Sequence, residues 1–537
     1  MAVAVVFLFW LQRDLAFADD SVNWILLNAY NPVKVTVEPY GGHLILTPML
    51  IFRAVLAAIG ASYTAMGVIQ IALLLTLSGL LYEYGRRRIG PFLALPPAIV
   101  ILFLGTSSSV LIQPMVGIQF LCALVPGLAG LLALERSDRH GDIAACAFFC
   151  LAALGFEMGL AFVIGGAVSI ALRDDRRRRA WIVAIPFGIY LVWRVWAAKY
   201  GGSGIQLSNV PWIPAYAIDS IGVVVASFFG LFFWVGSGQL TYLKLVGFDL
   251  SHLAEGLFLL TAEVFAAILI IRRLLRRGPL PATFWVALSV VATIWVEHGL
   301  ALALNRTPGE VRYVFPDTVV FLLLLLECAR GIRATRLALL AAAAVTVIAV
   351  FGNLPRFREG RQIIAEYSNG FHSSVAVMEL DGPKMRADFN PATEAAEAFT
   401  SGRETLIGPA NVASLKAKFG RFGYTIPELE GKPEGQRETA DLVAVRGLDL
   451  RTVPVQGKGS NCHTVSAGEA RLPRGGAILR ARSSSPLLLR RFADHYVAEV
   501  GQLQAGRTVA VKIPTDDARA AWHAYAPEGE RLSVCPL

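Results

Sequence analysis

The sequence predicts a polytopic α-helical membrane protein with a polar C-terminal α+β domain that ends in a small β-sandwich. Three observations predict it. Of 537 residues 55% are hydrophobic, against about 45–50% apolar in ordinary soluble domains, and the mean hydropathy is +0.55. The apolar residues stand in long runs, with arginines clustered between them, as membrane helices and their loops require. After about Asn353 the runs disappear, and Gly, Pro, Ser and charged residues spread evenly.

The apolar runs place spans at Ala2–Phe17, Ala61–Tyr82, Pro91–Leu111, Val116–Leu134, Ile143–Phe156, Glu157–Leu172, Trp181–Ala198, Leu253–Ile271, Ala282–Leu302, Val314–Leu326 and Leu337–Phe351. That is about 11 spans in a membrane domain covering residues 1–351. Arginines cluster at Arg86–Arg88, at Arg136 and Arg139, at Arg173 with Arg176–Arg179, at Arg272, Arg273, Arg276 and Arg277, and at Arg330, Arg333 and Arg336. With these spans every cluster falls on one side, which the positive-inside rule makes cytoplasmic. Ile143–Leu172 is too long for one span and has basic residues at both ends, so it reads as a short helical hairpin turning near Glu157. Ser220–Gly236 is apolar enough to cross, but crossing would put Arg272–Arg277 outside. It therefore reads as interfacial or re-entrant. The first run is purely apolar only over Ala2–Leu11. A signal peptide or a start placed too late are alternatives to a transmembrane helix there, although a basic n-region is missing.

Residues 352–537 form the second expected domain. "DLVAVRGL", "GAILRAR" and "RTVAVKI" read as strands bounded by turns. "NPATEAAEAFTSG" and "VASLKAKFGRFG" read as helices. Cys122, Cys146, Cys150 and Cys328 lie in apolar runs and read as small buried hydrophobes. Cys462 and Cys535 lie in the polar part and suit a disulfide if that part faces an oxidising compartment. The net charge of +9 does not point to nucleic acid, because the membrane-domain arginines are placed as topology signals.

On this topology one face, opposite the arginine clusters, collects unusual polar residues. "FADD" brings Asp19 and Asp20 just past the first run. "EPYGGHL" brings Glu38 and His43, the hairpin tip brings Glu157, and the outer end of a later span brings Glu297 and His298. "NRTPGEVRYVFP" brings Arg306, Arg312 and Tyr313. Each has a plainer reading, such as helix capping for the aspartates or headgroup anchoring for the arginines. Lys34 and Arg53 could steer anionic lipid.

The span order, the early acidic pair and the later Arg-Tyr step together resemble the GT-C superfamily of integral-membrane glycosyltransferases, over roughly residues 1–351. The resemblance implies transfer of a sugar from a polyprenyl-phosphate or polyprenyl-diphosphate carrier on the extracytoplasmic face, with inversion at the anomeric carbon. It implies Asp20 or Asp19 as the catalytic base and Arg312, beside Tyr313, as the phosphate ligand. Arg306, His43, Glu38 and Glu157, read from their own chemistry and position on the same face, are further substrate-binding candidates. The residue types suit the chemistry. A carboxylate takes the acceptor proton, and a guanidinium binds the departing lipid phosphate through paired hydrogen bonds. The acceptor would be a glycan, lipid or protein, held in part by the C-terminal domain. The setting would be a bacterial inner or plasma membrane.

No phosphate loop ending in Lys-Ser/Thr, no HExxH and no Cys/His zinc spacing occurs in the sequence, so neither nucleotide hydrolysis nor zinc chemistry is signalled. "GFEMG" is not a nucleophile elbow. No cofactor is expected; Asp19 and Asp20 could hold a divalent metal with water, which is not the favoured reading. Two other classes remain. One is a transporter or flippase of lipid-linked glycan, which usually shows internal repeats and broken mid-membrane elements. The other is a non-catalytic cell-envelope scaffold.

Overall fold

In the computed structural model the described residues are all but 14, 16–31, 41, 201–203, 231–262, 265, 266, 269, 276–279, 303–306, 395–407, 457, 458, 496, 497 and 517. Of the described residues, those up to 13 and from 32 to 362 form one unit, and Leu15 with residues 363–537 the other.

The first unit is built from helices. Among the described residues, six are long and apolar enough to cross a membrane, or seven if a bent pair is one span. The described residues thus show six or seven such helices rather than the full set of 11 expected spans. The main helices are α1 (Ala2–Gln12), α2 (Leu46–Ala58), α3 (Tyr63–Ile89), α4 (Pro114–Leu134), α5 (Arg139–Gly155) and α6 (Gly159–Ala171). They continue with α7 (Trp181–Ala197), α8 (Ile213–Phe228), α9 (Ala282–Leu300), α10 (Val311–Cys328) and the part of α11 (Arg336–Asp381) up to Gln362. Membrane helices cannot gain much from burying one apolar face against another, since lipid is as apolar as leucine, so close approach and buried polar pairs do the work. Both devices occur. Gly130 and Gly166 clasp the Phe149 ring; a Cβ on either would lie 2.6 or 2.7 Å from it. Gln12, at the end of α1, donates to Gln70 Oε1 at 2.6 Å, inside the bundle. Gln12 is thus what fastens the first helix, not what weakens it. The helix ends there rather than at Phe17.

Two further expectations need correction, and a third run is longer in helix than its apolar part suggested. Pro91–Leu111 is two pieces, Leu95–Phe103 and Gly105–Ile112, bent by 46°. The break is held by Asn353, whose Oδ1 accepts from Thr106 N while its Nδ2 donates to the carbonyls of Ser227, Phe228 and Ala349. Second, the run expected to be interfacial or re-entrant, Ser220–Gly236, begins within a helical stretch Leu207–Phe228 that is long and apolar enough to cross, and its last part, 231–236, lies outside the described residues. Periodicity cannot tell these apart; only the neighbours can. Third, α11 does not stop at Phe351. The apolar run ends there, but helix-forming residues continue to Asp381, because loss of hydropathy marks the end of lipid exposure and not of the helix. Most of the expected span Leu253–Ile271 lies outside the described residues.

Arginines from four of the five clusters gather at one end of this unit. Arg87 meets Glu135 at 2.9 Å, and Arg173 donates to Ser137 Oγ at 2.7 Å. Arg88 bridges Glu135 and Glu327, while Arg330 meets Glu327 at 3.0 Å. Arg179 pairs with Asp142. Glu327 is fully buried and the Arg88 side chain is 2% exposed. These arginines are therefore more than topology signals, since two of them are structural pins between helices.

The second unit contains α12 (Pro409–Phe419), α13 (Glu434–Gly447) and seven strands: β1 (Thr452–Pro454), β2 (His463–Arg471), β3 (Gly476–Ala481), β4 (Ser485–Arg490), β5 (Ala498–Leu503), β6 (Thr508–Lys512) and β7 (His523–Pro536). "DLVAVRGL" was expected to be a strand and is the C-terminal half of α13. Ala440, Val443, Ala444 and Gly447 are all buried and recur at helical spacing, a period visible only over a longer window than eight residues. All seven strands join one antiparallel network, in the order β1-β6-β3-β7-β4-β5 with β2 also on β7, rather than the expected sandwich of two separate sheets. The long β7 makes this possible: its start pairs with β4 and its end with β3. Cys462 and Cys535 are disulfide-bonded, beside the His463–Val534 partners of the β2–β7 ladder. Asp441 on α13 accepts the backbone N–H groups of Arg491, Phe492 and Ala493, which docks the helix on the end of β4.

Candidate functional site

Helices α9 and α10 are antiparallel, which fixes where polar residues meet. At one end Thr283 and Glu327 share Arg330. At the other, the rings of His298 and Tyr313 stand 4.6 Å apart. Tyr313 and Glu327 are 14 residues apart on one helix, or roughly 21 Å along its axis. The His298–Tyr313 end is thus the end away from the arginine clusters.

A narrow pocket opens there, lined by His43, Phe156, Glu157, Glu297, His298 and Tyr313 among others. Each side chain has a local reason to be present. His43 closes a tight turn in which Tyr40 and His43 exchange two backbone hydrogen bonds of 3.0 Å. Gly42 within it has φ +89°, a conformation that costs glycine nothing. Glu157 sits in the three-residue break between α5 and α6. The flanking glycines of "GFEMG" let that break lie against backbone: a Cβ on Gly155 would be 2.3 Å from the Cys122 carbonyl oxygen.

His43 Nδ1 lies 2.6 Å from Glu157 Oε2, and Tyr190 donates to Glu157 Oε1 at 3.1 Å. Arg194, one turn beyond Tyr190, stands close enough to Glu157 for their charges to interact. The His43 ring also rests on Phe156 at 4.8 Å. In neutral imidazole an Nδ1–H donated to a carboxylate leaves Nε2 as the acceptor. A carboxylate behind a histidine in this way fixes its tautomer and supports its charge when it takes a proton.

Below Tyr313, one turn down the same face of α10, lies Asp317, 1% exposed, with its Oδ1 3.6 Å from His298 Nδ1. Further down, an apolar cleft is lined by Pro97, Phe228, Phe229, Phe321, Leu325 and Val345 among others.

The structure thus brings His43, Glu157, Glu297, His298 and Tyr313 together. Arg312 is not among the pocket-lining residues; it stands 3.7 Å from Glu310 and lies over the Tyr313 ring. Glu38 interacts with Tyr200. Asp19, Asp20 and Arg306 lie outside the described residues. Sequence reasoning missed Tyr190, Arg194 and Asp317. The last two carried a signal, an ionisable residue inside an apolar run, where such groups are costly and tend to be functional.

Among the described residues, the ligand atoms of Glu434, Glu438 and His495 lie within 4.8 Å of one another. Their chemistry does not suit a cation. Glu434 Oε1 accepts the backbone N–H groups of Asp494 and His495, and its Oε2 pairs with Arg437 at 2.7 Å.

No protein-family model, no curated protein and no solved structure matches the chain.

Proposed function

We propose that this multi-pass membrane protein is a GT-C-like glycosyltransferase. It transfers a sugar from a polyprenyl-phosphate donor to a glycan, lipid or protein acceptor on the extracytoplasmic face. The observation that carries the reading is the gathering of His43, Glu157, Glu297, His298 and Tyr313 at the bundle end away from the arginine clusters. By the positive-inside rule that end faces out.

In this reaction the acceptor oxygen forms a bond to the anomeric carbon while the bond from that carbon to the lipid phosphate breaks. The acceptor proton goes to a base. The resemblance assigns that role to Asp19 or Asp20; His43 Nε2, with Glu157 behind its other nitrogen, is chemically able to share or take it. The lipid phosphate leaves with both electrons, and Arg312 and Arg194 are the guanidinium groups nearest in sequence or space to offset its charge. The prenyl tail fits the apolar cleft beside Phe321 and Leu325.

The test is incubation of purified protein with a polyprenyl-phosphate sugar and a mixture of envelope glycans. Release of polyprenyl phosphate that depends on acceptor supports the reading. Donor binding with no release under any acceptor sinks it.

A second reading, a transporter of lipid-linked glycan, has one observation in its favour. Asp317 is an acid buried inside a helix bundle, beside His298, and such groups often serve ion-coupled transport. Movement of labelled lipid-linked glycan across vesicles, unaffected by removal of acceptor, would favour it.

A further inference from the structure

The second unit carries a pocket of its own between the turn at residues 472–476 and the loop at 513–522. The sequence builds it stiffly. In "RLPRGG", Gly475 has φ +90° and Gly476 φ +115°, and a Cβ on Gly476 would lie 2.1 Å from the Val511 carbonyl oxygen. The turn is tied to the loop by Ile513 N–H to Gly475 O at 3.2 Å and by Leu472 N–H to Trp522 O at 2.8 Å. Behind the loop, the buried Arg491 donates to Asp516 at 2.6 Å, to the Ala520 carbonyl at 3.2 Å and to Asp381 at 3.3 Å. Its charge is therefore spent inside the wall, and Trp522, 6% exposed, packs against it.

The rim is different. Arg471, Arg474 and Arg519 line the same pocket and are all exposed. None of the three has an acidic partner among the described residues, whereas Arg386, Arg437 and Arg490 in the same unit each hold a carboxylate. Three like charges around one concavity repel each other and focus a positive potential into it. A concave, rigid, cationic pocket with an aromatic in its wall favours a bulky anion with polar rings over a flat anionic surface.

We infer that this pocket binds an acidic glycan, one bearing a carboxylate on its sugar units, with Arg471, Arg474 and Arg519 as its ligands. The inference stands on the second unit alone and does not depend on the proposed transferase activity.

The experiment uses the purified full chain in neutral detergent and isothermal titration calorimetry. The probes are oligogalacturonate, dextran oligosaccharide of the same length, and phosphatidylglycerol vesicles. The expected result is binding of oligogalacturonate that weakens with salt, and no binding of dextran. The triple variant R471A/R474A/R519A should bind oligogalacturonate roughly tenfold more weakly or worse, a loss of about 1.4 kcal/mol for each factor of ten. The variant R480A/R482A/R507A, which removes three exposed arginines outside the pocket, should bind as the parent does. All six sites are exposed, and circular dichroism melting checks that both variants fold. Three results would overturn the inference: no binding by the parent, equal weakening in both triple variants, or binding to the vesicles but not to the oligosaccharide.

Discussion

His43 Nδ1 and Glu157 Oε2 stand 2.6 Å apart although 114 residues separate them in the chain. One sits on a tight turn before α2 and the other in the break between α5 and α6. If this pair moves a proton in sugar transfer, His43→Ala should lower kcat by roughly 10²–10⁴-fold, the usual range for a positioned acid or base. Donor affinity should change little. Glu157→Gln should cost less, and the double variant no more than His43→Ala alone, because the two residues act as a unit. The check is steady-state kinetics with a polyprenyl-phosphate sugar. Additive losses would mean that the residues act separately.

The buried Arg88–Glu327 pair makes a stability prediction. Glu327→Ala leaves the Arg88 guanidinium in the bundle with one of its two carboxylates, and should destabilise by about 3–5 kcal/mol. Replacing both, as R88M/E327L, should recover much of that loss, since an apolar pair of similar size avoids the desolvation cost. Thermal unfolding in detergent of the single and double variants reads the difference. A double variant no better than Glu327→Ala would show that Glu135 and Tyr84, whose backbone carbonyl accepts from Arg88 at 2.9 Å, depend on Arg88 for more than charge.

Cys462 and Cys535 close a loop with a sequence separation of 73. Tying such a loop in the unfolded chain removes entropy worth about 4 kcal/mol. C462S/C535S should therefore lower the unfolding midpoint of the second unit, and a reducing agent should do the same to the parent. An unchanged midpoint under reduction would mean that the β2–β7 ladder holds without the bridge.

Asp441 makes stability depend on pH. Burial pushes its carboxyl up to about 6, against the opposing pull of three backbone N–H donors. Its unfolded value is about 3.9, so between those values the folded chain holds a proton that the unfolded chain has released. This contribution is present at low pH and is lost as pH rises from about 4 to about 6, on the order of 3 kcal/mol. Asp381 is also pushed up, by burial and by Asp516, but Asp516 itself is held low, its burial outweighed by the hydrogen bond and charge of Arg491, so the two slopes oppose each other and Asp441 carries the prediction. Calorimetry at several pH values should show a shallower slope in Asp441→Asn, alongside an overall loss from weaker hydrogen bonding to residues 491–493. An identical slope would remove Asp441 from the account.

Sequence alone determined that the chain enters a membrane, because long apolar runs have no other solvent that suits them. It also gave the division into an apolar and a polar part, the strands at 476–481 and 508–512, and the polar residues worth watching: His43, Glu157, Glu297, His298 and Tyr313. All of these are local properties of composition or short period. What only the tertiary structure decided is which of those residues meet. The Glu157 break folds onto α4, and antiparallel α9 and α10 bring His298 to Tyr313. That Arg88 is a buried pin and not a loop charge, and that "DLVAVRGL" is helix and not strand, depended on partners hundreds or tens of residues away. Hydropathy records how a residue feels about its solvent, whereas packing determines whether solvent, lipid or another side chain is what it meets.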